Sequence, residues 1–181
     1  NISMQAYLYG VVPSEIGGSS PIEAQKVQAV CARTYAVKNL NRHSKNGFNL
    51  CATTCCQVYF GIKNETTLSN SAVDETNGKI ITYNGEPITA VYSAHSGGVT
   101  ANVENVWGSP YPYLKSVSDP HCTDYTWTVD LDFDVITASM NAKGYNLGRV
   151  TDIRIDSVSS DNRVTKMTII GTDGTKTVER E

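Results

Sequence analysis

The sequence predicts a mixed α+β fold, with helices packed against antiparallel β-hairpins and a cysteine-rich loop between them. Three observations lead there. Apolar residues recur at helical spacing through the opening segment, β-branched runs flank a strong turn signal at Asn84-Gly85, and three further strand-like runs follow residue 150.

In MQAYLYGVVPSEI, residues Met4, Tyr7, Leu8, Val11 and Val12 share one helical face. Pro13 lacks an N–H and restricts its predecessor, so the helix is expected to end there, with Glu15 in a turn continuing through Gly17 and Gly18. Ser20-Pro21-Ile22-Glu23 reads as a capping box opening a second helix that runs to about Asn41. Val27, Val30, Cys31, Thr34 and Val37 form its expected buried stripe, and Ala24 and Ala29 permit close packing. Lys26 and Arg33 lie two turns apart and share a flank. From His43 to Gly61 the chain reads as irregular. Ser69 to Thr76 reads as a short helix stopped by Asn77-Gly78. Lys79–Tyr83 and Pro87–Ser93 form a hairpin about Asn84-Gly85, and a Ser/Gly loop runs from His95 to Thr100. Asp132 to Lys143 is a helix. Val150–Ser157, Arg163–Gly171 and Lys176–Arg180 are strands, with Asp173-Gly174 at a turn.

The bulk numbers bound the function. A chain of 181 residues fits one domain, residues 119–181 being able to form a sub-lobe. A net charge of −3 without a basic stripe argues against nucleic acid as a partner. Ten tyrosines, against two tryptophans and three phenylalanines, suit sugar stacking, although tyrosines also fill half-buried positions. No run of about 18 apolar residues suggests a membrane span. With no signal-peptide pattern and no start methionine, the chain reads as a mature or trimmed form whose anchor or signal lay upstream.

Two residue groups could carry chemistry. Glu15, beside Val11, Val12 and Ile16, is placed where partial desolvation would favour a general acid; otherwise it is an exposed turn glutamate. Cys51, Cys55 and Cys56, with His43 eight residues before the first, make a Cys₃His tetrahedral zinc site. His95, His121 and Cys122 are alternative fourth ligands, and a disulfide, Cys51–Cys55 or one reaching Cys122, is the competing reading. A metal there would be structural, since protein fills every coordination position. Cys31 reads as core packing. His95 with Ser93 or Ser96 lacks a marked acid and oxyanion hole, so a serine triad is not supported.

Ordered motifs add a family resemblance. YLYGVVPSEI, AQKVQAVCARTYAV, TTCCQVYFG, AVDETNGKIITYNGEPITAVYSAHSGG and VWGSPYPYLKSV resemble, in sequence order, the signatures of the SpoIID/LytB family across roughly residues 5–118. The resemblance implies a peptidoglycan lytic transglycosylase acting on glycan strands already stripped of stem peptides, in sporulation (engulfment) and outside the cytoplasm. Carried over by motif, Glu15 is its catalytic acid and base, while Lys26, Arg33, Tyr113 and Lys115 line the sugar groove. The Ser/Gly loop, with Ser96, is expected to offer hydroxyls and N–H groups to acetamido groups. No cofactor is needed for the chemistry. Some clostridial-type members bind zinc in the cysteine segment, with His-Cys where this chain has Cys55-Cys56. Implied partners are glycan strands, other wall hydrolases such as an amidase, and membrane-anchored sporulation proteins. The alternative is a non-catalytic glycan-binding or amidase-enhancing module. The family's closing Gly-His-Gly-Val-Gly-Met-Ser-Gln-like segment is missing, so the chain is expected to be a fragment or a shortened relative.

Overall fold

A computed structural model describes residues 1–122 and 125–179. The chain divides into two compact units, Asn1–Ala94 and His95–Glu181. Helices and antiparallel sheets make up both, in agreement with the α+β expectation.

In the first unit, α1 (Met4–Ile16), α2 (Ile22–Lys38) and α3 (Thr67–Glu75) pack on one another. Their core is Leu8, Val11 and Val12 from α1, Ala29 and Ala32 from α2, and Val73 from α3. The alanines of α2 let the bulkier α1 side chains approach closely. Polar bonds lock the bundle at its edge: Tyr9 and Gln5 donate to Asp74 Oδ1 at 2.5 and 2.7 Å. Both hold the Asp74 carboxyl below its ordinary value, the tyrosine bond foremost.

Three local expectations are corrected. Pro13 does not end α1; it sits inside the helix, one turn from its end. There it removes a single intrahelical bond, and the helix stops at Gly17, whose N–H reaches Pro13 O and whose φ is +86°. Glu15 therefore stands on the last turn of α1. The capping box also does not form. Pro21 is the N-cap of α2, and the Ser20 hydroxyl donates to Ile16 O at 2.7 Å. Finally, the buried face of α2 is Gln25, Gln28, Ala29, Ala32, Arg33, Thr34 and Ala36, while Val27 is 64% exposed. Because α1 supplies the bulk, α2 buries small and hydrogen-bonded residues in place of its valines.

The hairpin forms about Asn84-Gly85, both with positive φ, but its strands are short: β1 (Thr82–Tyr83) pairs with β2 (Glu86–Pro87). It is fastened to α2 where Ile81 N–H donates to the Thr34 hydroxyl at 2.9 Å. Between α2 and α3 runs the irregular cysteine loop. It crosses α1 at Gly10, where an added Cβ would lie 2.6 Å from both Gly61 O and the Tyr59 ring.

The second unit holds α4 (Glu104–Trp107), unforeseen in the sequence, α5 (Phe133–Ala142) and a three-stranded antiparallel sheet, β3 (Val150–Val158), β4 (Val164–Gly171) and β5 (Gly174–Glu179), in that order. Arg180, expected to close β5, lies outside the described residues. The Asp132 side chain caps α5, and Met140, Leu147, Val150 and Ile169 form the core between helix and sheet. Arg163, at the start of β4, reaches into the Ser/Gly loop, donating to Ser96 O and Val99 O at 2.9 and 3.1 Å. Among the described residues no helix is long and apolar enough to cross a membrane.

The close approach at Gly10 yields a stability prediction. Gly10→Ala gains helix propensity yet forces a methyl into backbone, so a net loss of about 1–3 kcal/mol is expected, read by thermal unfolding.

Candidate functional site

The first unit presents two sizeable cavities. One, of about 360 Å³, is lined by residues such as Met4, Tyr7, Leu40 and Leu50 and has no carboxylate or imidazole in its wall. The other, about 440 Å³, is lined by Glu15, Ile16, Gln28, Tyr92, Ser93 and Ala94. Of the two, only the second has a carboxylate in its wall.

Glu15 is held by the backbone. Val58 N–H donates to Glu15 Oε1 at 2.7 Å, from the far side of the cysteine loop. Tyr92 lines the pocket beside the carboxyl; burial first, then the neighbouring Glu15 charge, pushes its hydroxyl far above the ordinary tyrosine range. Behind them lies Gln57, completely buried. Its Nε2 donates to Tyr92 Oη at 3.2 Å and to Ala32 O at 3.3 Å, and its Oε1 accepts from the Tyr7 hydroxyl at 3.1 Å. Burial likewise raises Tyr7 far above its usual range. Both tyrosines therefore stay neutral donors at any physiological pH. The chain Tyr7–Gln57–Tyr92 fixes the aromatic side of the Glu15 pocket.

The cysteine loop brings His43, Cys51, Cys55 and Cys56 together. Their four ligand atoms lie within 4.8 Å of one another, with Cys55 Sγ 3.7 Å from His43 Nε2. Tetrahedral coordination at about 2.3 Å from sulfur separates ligand atoms by about 3.8 Å, so small side-chain adjustments would close the set around one ion. The donor set therefore fits a metal. Thr53, through its hydroxyl and N–H, lowers the Cys51 thiol to about 6, toward the ligating thiolate form. Burial pushes Cys56 up. All five cysteines are free thiols, and Cys31, half-buried on α2, stands apart from the cluster.

The remaining expected groove residues fall in other places. Lys26 bridges Glu23 and Glu75, each at 2.7 Å, and these bonds hold its ammonium above the ordinary lysine range. Arg33 is 3% exposed. Its guanidinium donates to Lys79 O at 3.0 Å and Val73 O at 3.2 Å, which ties α2 to the end of α3. Neither lines the Glu15 pocket. Arg33 faces inward because the last turn of α3 offers it carbonyls that no helical N–H can satisfy. Ser96, Tyr113 and Lys115 belong to the second unit. There Ser96 donates to Asp119 Oδ2 at 2.8 Å, Tyr113 packs against Tyr111 with centroids 5.6 Å apart, and Lys115 pairs with Glu104 at 2.8 Å. His95 accepts the Gly97 N–H through Nδ1 and lies near Cys122.

Sequence reasoning passed over Gln57, Val58, Tyr92 and Gln28. All four sit inside the motifs already quoted, immediately after a cysteine, before the Ser/Gly loop, or between Lys26 and Arg33. A buried glutamine flanked by metal ligands was the available signal.

Comparison with known proteins follows this geometry. Residues 1–83, which include Glu15, Gln28 and the whole Cys/His cluster, match the family described as SpoIID, stage II sporulation protein. The chain belongs to the SpoIID family. It is 42% identical over 125 residues to the amidase enhancer of Bacillus subtilis, covering 68% of this chain and 17% of that protein. It is 39% identical over 135 residues to stage II sporulation protein D of the same organism, covering 66% and 39%. An uncharacterised protein of Brachyspira hyodysenteriae is 33% identical over 175 residues, 95% of this chain and 48% of that one. The chain thus spans less than half the length of these SpoIID relatives.

Two expectations test this arrangement. Elemental analysis should find a divalent metal bound to the protein, and Cys56→Ser should release it and cost stability on the order of several kcal/mol. Arg33→Met removes the two bonds that tie α2 to the end of α3, leaving Val73 O with the Thr76 hydroxyl alone, so denaturant unfolding should show a loss of about 1–3 kcal/mol.

Proposed function

We propose that this chain carries the catalytic site of a peptidoglycan lytic transglycosylase, with Glu15 as its single acid and base. The observation that supports this most is that Glu15 is the one carboxylate among the six residues lining its pocket. A hydrolytic glycosidase needs a second carboxylate within about 5–9.5 Å, to attack the sugar or to activate water. A transglycosylase of this kind does not, because the substrate supplies its own nucleophile.

The reaction then runs through one group. Glu15 gives its proton to the oxygen linking N-acetylmuramic acid to N-acetylglucosamine. The C1–O bond breaks with its electron pair leaving on that oxygen, and positive charge develops at C1. The Glu15 carboxylate next takes the proton of the muramic C6 hydroxyl, O6 bonds to C1, and a 1,6-anhydro ring closes. Glu15 ends as it began and no water is consumed. Val58 N–H holds the carboxyl at one position through both transfers. Tyr92 also offers a ring face for a pyranose.

In the cysteine loop we infer zinc, held by His43, Cys51, Cys55 and Cys56. With every coordination position filled by protein it would brace the loop and leave no place for substrate or water. We further propose action outside the cytoplasmic membrane, in the wall or between two membranes during engulfment, on strands already stripped by an amidase. Membrane-anchored sporulation proteins are then its neighbours, and Lys26, Arg33, Ser96, Tyr113 and Lys115 remain the groove positions that the family resemblance nominates. Lys115 is exposed and Ser96 and Tyr113 are half-buried in their own unit, while Arg33 is buried in the first.

A second reading is favoured by one observation: the 42% identical relative is named an amidase enhancer. Under it the pocket binds glycan without cleaving it and assists another hydrolase. Digestion of denuded strands followed by mass analysis separates the two. Anhydro-muramic ends are expected, and Glu15→Gln should slow their formation by roughly 10²–10⁴-fold while leaving the thermal midpoint near that of the wild type. Strand binding with no anhydro product would establish the enhancer reading.

A further inference from the structure

One polar group beside Glu15 has no role in the account so far. Gln28, on the buried face of α2, lines the same pocket and is only 8% exposed. Its amide nitrogen is buried and reaches no acceptor. The contrast with Gln57 is informative. That glutamine, deeper in the same unit, places both ends of its amide on named partners. Folding alone gives no reason to keep an amide at residue 28. A methionine or leucine would fill the space without leaving a donor stranded.

We infer that Gln28 is a substrate-positioning residue that takes the carbonyl oxygen of an N-acetyl group on the sugar next to the bond Glu15 protonates. The inference rests on the transglycosylase reading and deepens it. The chemistry favours an acetamido group for two reasons. Its carbonyl is a strong neutral acceptor with no charge to desolvate, which suits a site whose only ionisable acid must stay available for proton transfer. Its methyl needs apolar contact, and Ile16 and Ala94 stand in the same wall. The Gln28 amide can present either end by a half turn about its last bond, so its N–H can meet that carbonyl as the sugar enters.

The experiment compares Gln28→Met with the wild type on two glycan substrates, one acetylated and one chemically de-N-acetylated. Wild-type protein is expected to show a lower KM for acetylated strands. Gln28→Met should raise that KM by about five- to tenfold, keep kcat within about twofold, and leave the KM for de-N-acetylated strands unchanged. Its thermal midpoint should equal or exceed that of the wild type, because no native bond is lost. A variant that keeps the full preference for acetylated strands overturns the inference. So does one that loses kcat and thermal stability together on both substrates, the mark of a purely structural residue. If wild-type protein cleaves nothing, the transglycosylase reading fails, and the role of Gln28 is decided separately by retention on the two glycans in a Glu15→Gln background. Weaker retention of acetylated strands by the Glu15→Gln, Gln28→Met double variant then supports it, and equal retention overturns it.

Discussion

The bond from Val58 N–H to the Glu15 carboxyl is the constraint around which the first unit is arranged. It joins the last turn of α1 to a loop whose regular pieces are two short 3₁₀ helices, Ser44–Asn46 and Gly61–Asn64. For the bond to exist, the loop must cross α1 at van der Waals distance, which only Gly10 permits. The loop must also hold its shape without a core beneath it. The Cys/His cluster serves that need, since Cys56 lies two residues before Val58 and its thiol is buried against the other ligands. Gln57, between them, turns inward and is bonded at both ends. Three consecutive residues thus carry a metal ligand, a buried anchor and the donor on Glu15.

This arrangement explains why the interior of the unit is unusually polar. Gln25, Gln28, Arg33 and Gln57 are all buried on or against α2, a helix whose own apolar residues are largely alanine. Large aliphatic side chains there would push α1 and the loop apart. Long polar side chains reach carbonyls that the loops and helix ends leave open: Gln25 takes Gly18 O and Ser20 O, Arg33 takes Val73 O and Lys79 O, and Gln57 takes Ala32 O. Such bonds add little net stability each, but they are directional and select one register of helix against loop. Under the proposed reaction, a carboxyl transferring a proton twice within one substrate encounter would need that kind of fixity more than depth of core.

Much of the fold was legible in the sequence. The opening helix, the Asn84-Gly85 turn, α5 with its Asp132 cap and the three late strands follow from period and turn chemistry alone. What was not legible came from tertiary competition. Pro13 reads as a stop, yet one lost bond near a helix end is tolerated, so Glu15 lies on α1 and not beyond it. The valines of α2 read as its core stripe, but α1 had already supplied the bulk, and Val27 faces outward. Of the candidate site, the four-member cluster follows from residue type and spacing, while Glu15 is nominated by the family resemblance. Arg33 could not be placed, because spacing gives a side chain's flank and not what waits across from it. Gln57 and Tyr92 carry no chemistry alone, and only their contacts reveal them.

The geometry also bears on how a metal requirement should be read. A metal that activates water sits on an incomplete ligand set, and its removal stops chemistry while the scaffold stands. Here the cluster offers four protein ligands, and the peptide chain runs from one of them to the donor on Glu15 in two residues. Opening that cluster would free Val58, slacken Gln57 and with it Tyr92, so Glu15 would lose the bond that orients it without any change in its own chemistry. If the cluster holds a metal and the proposed activity is present, loss of that activity on metal removal would follow from the connection and would not be a sign of metal catalysis. The distinction lies in what falls together: a bracing ion takes stability and carboxyl orientation with it, and a catalytic one takes the reaction alone.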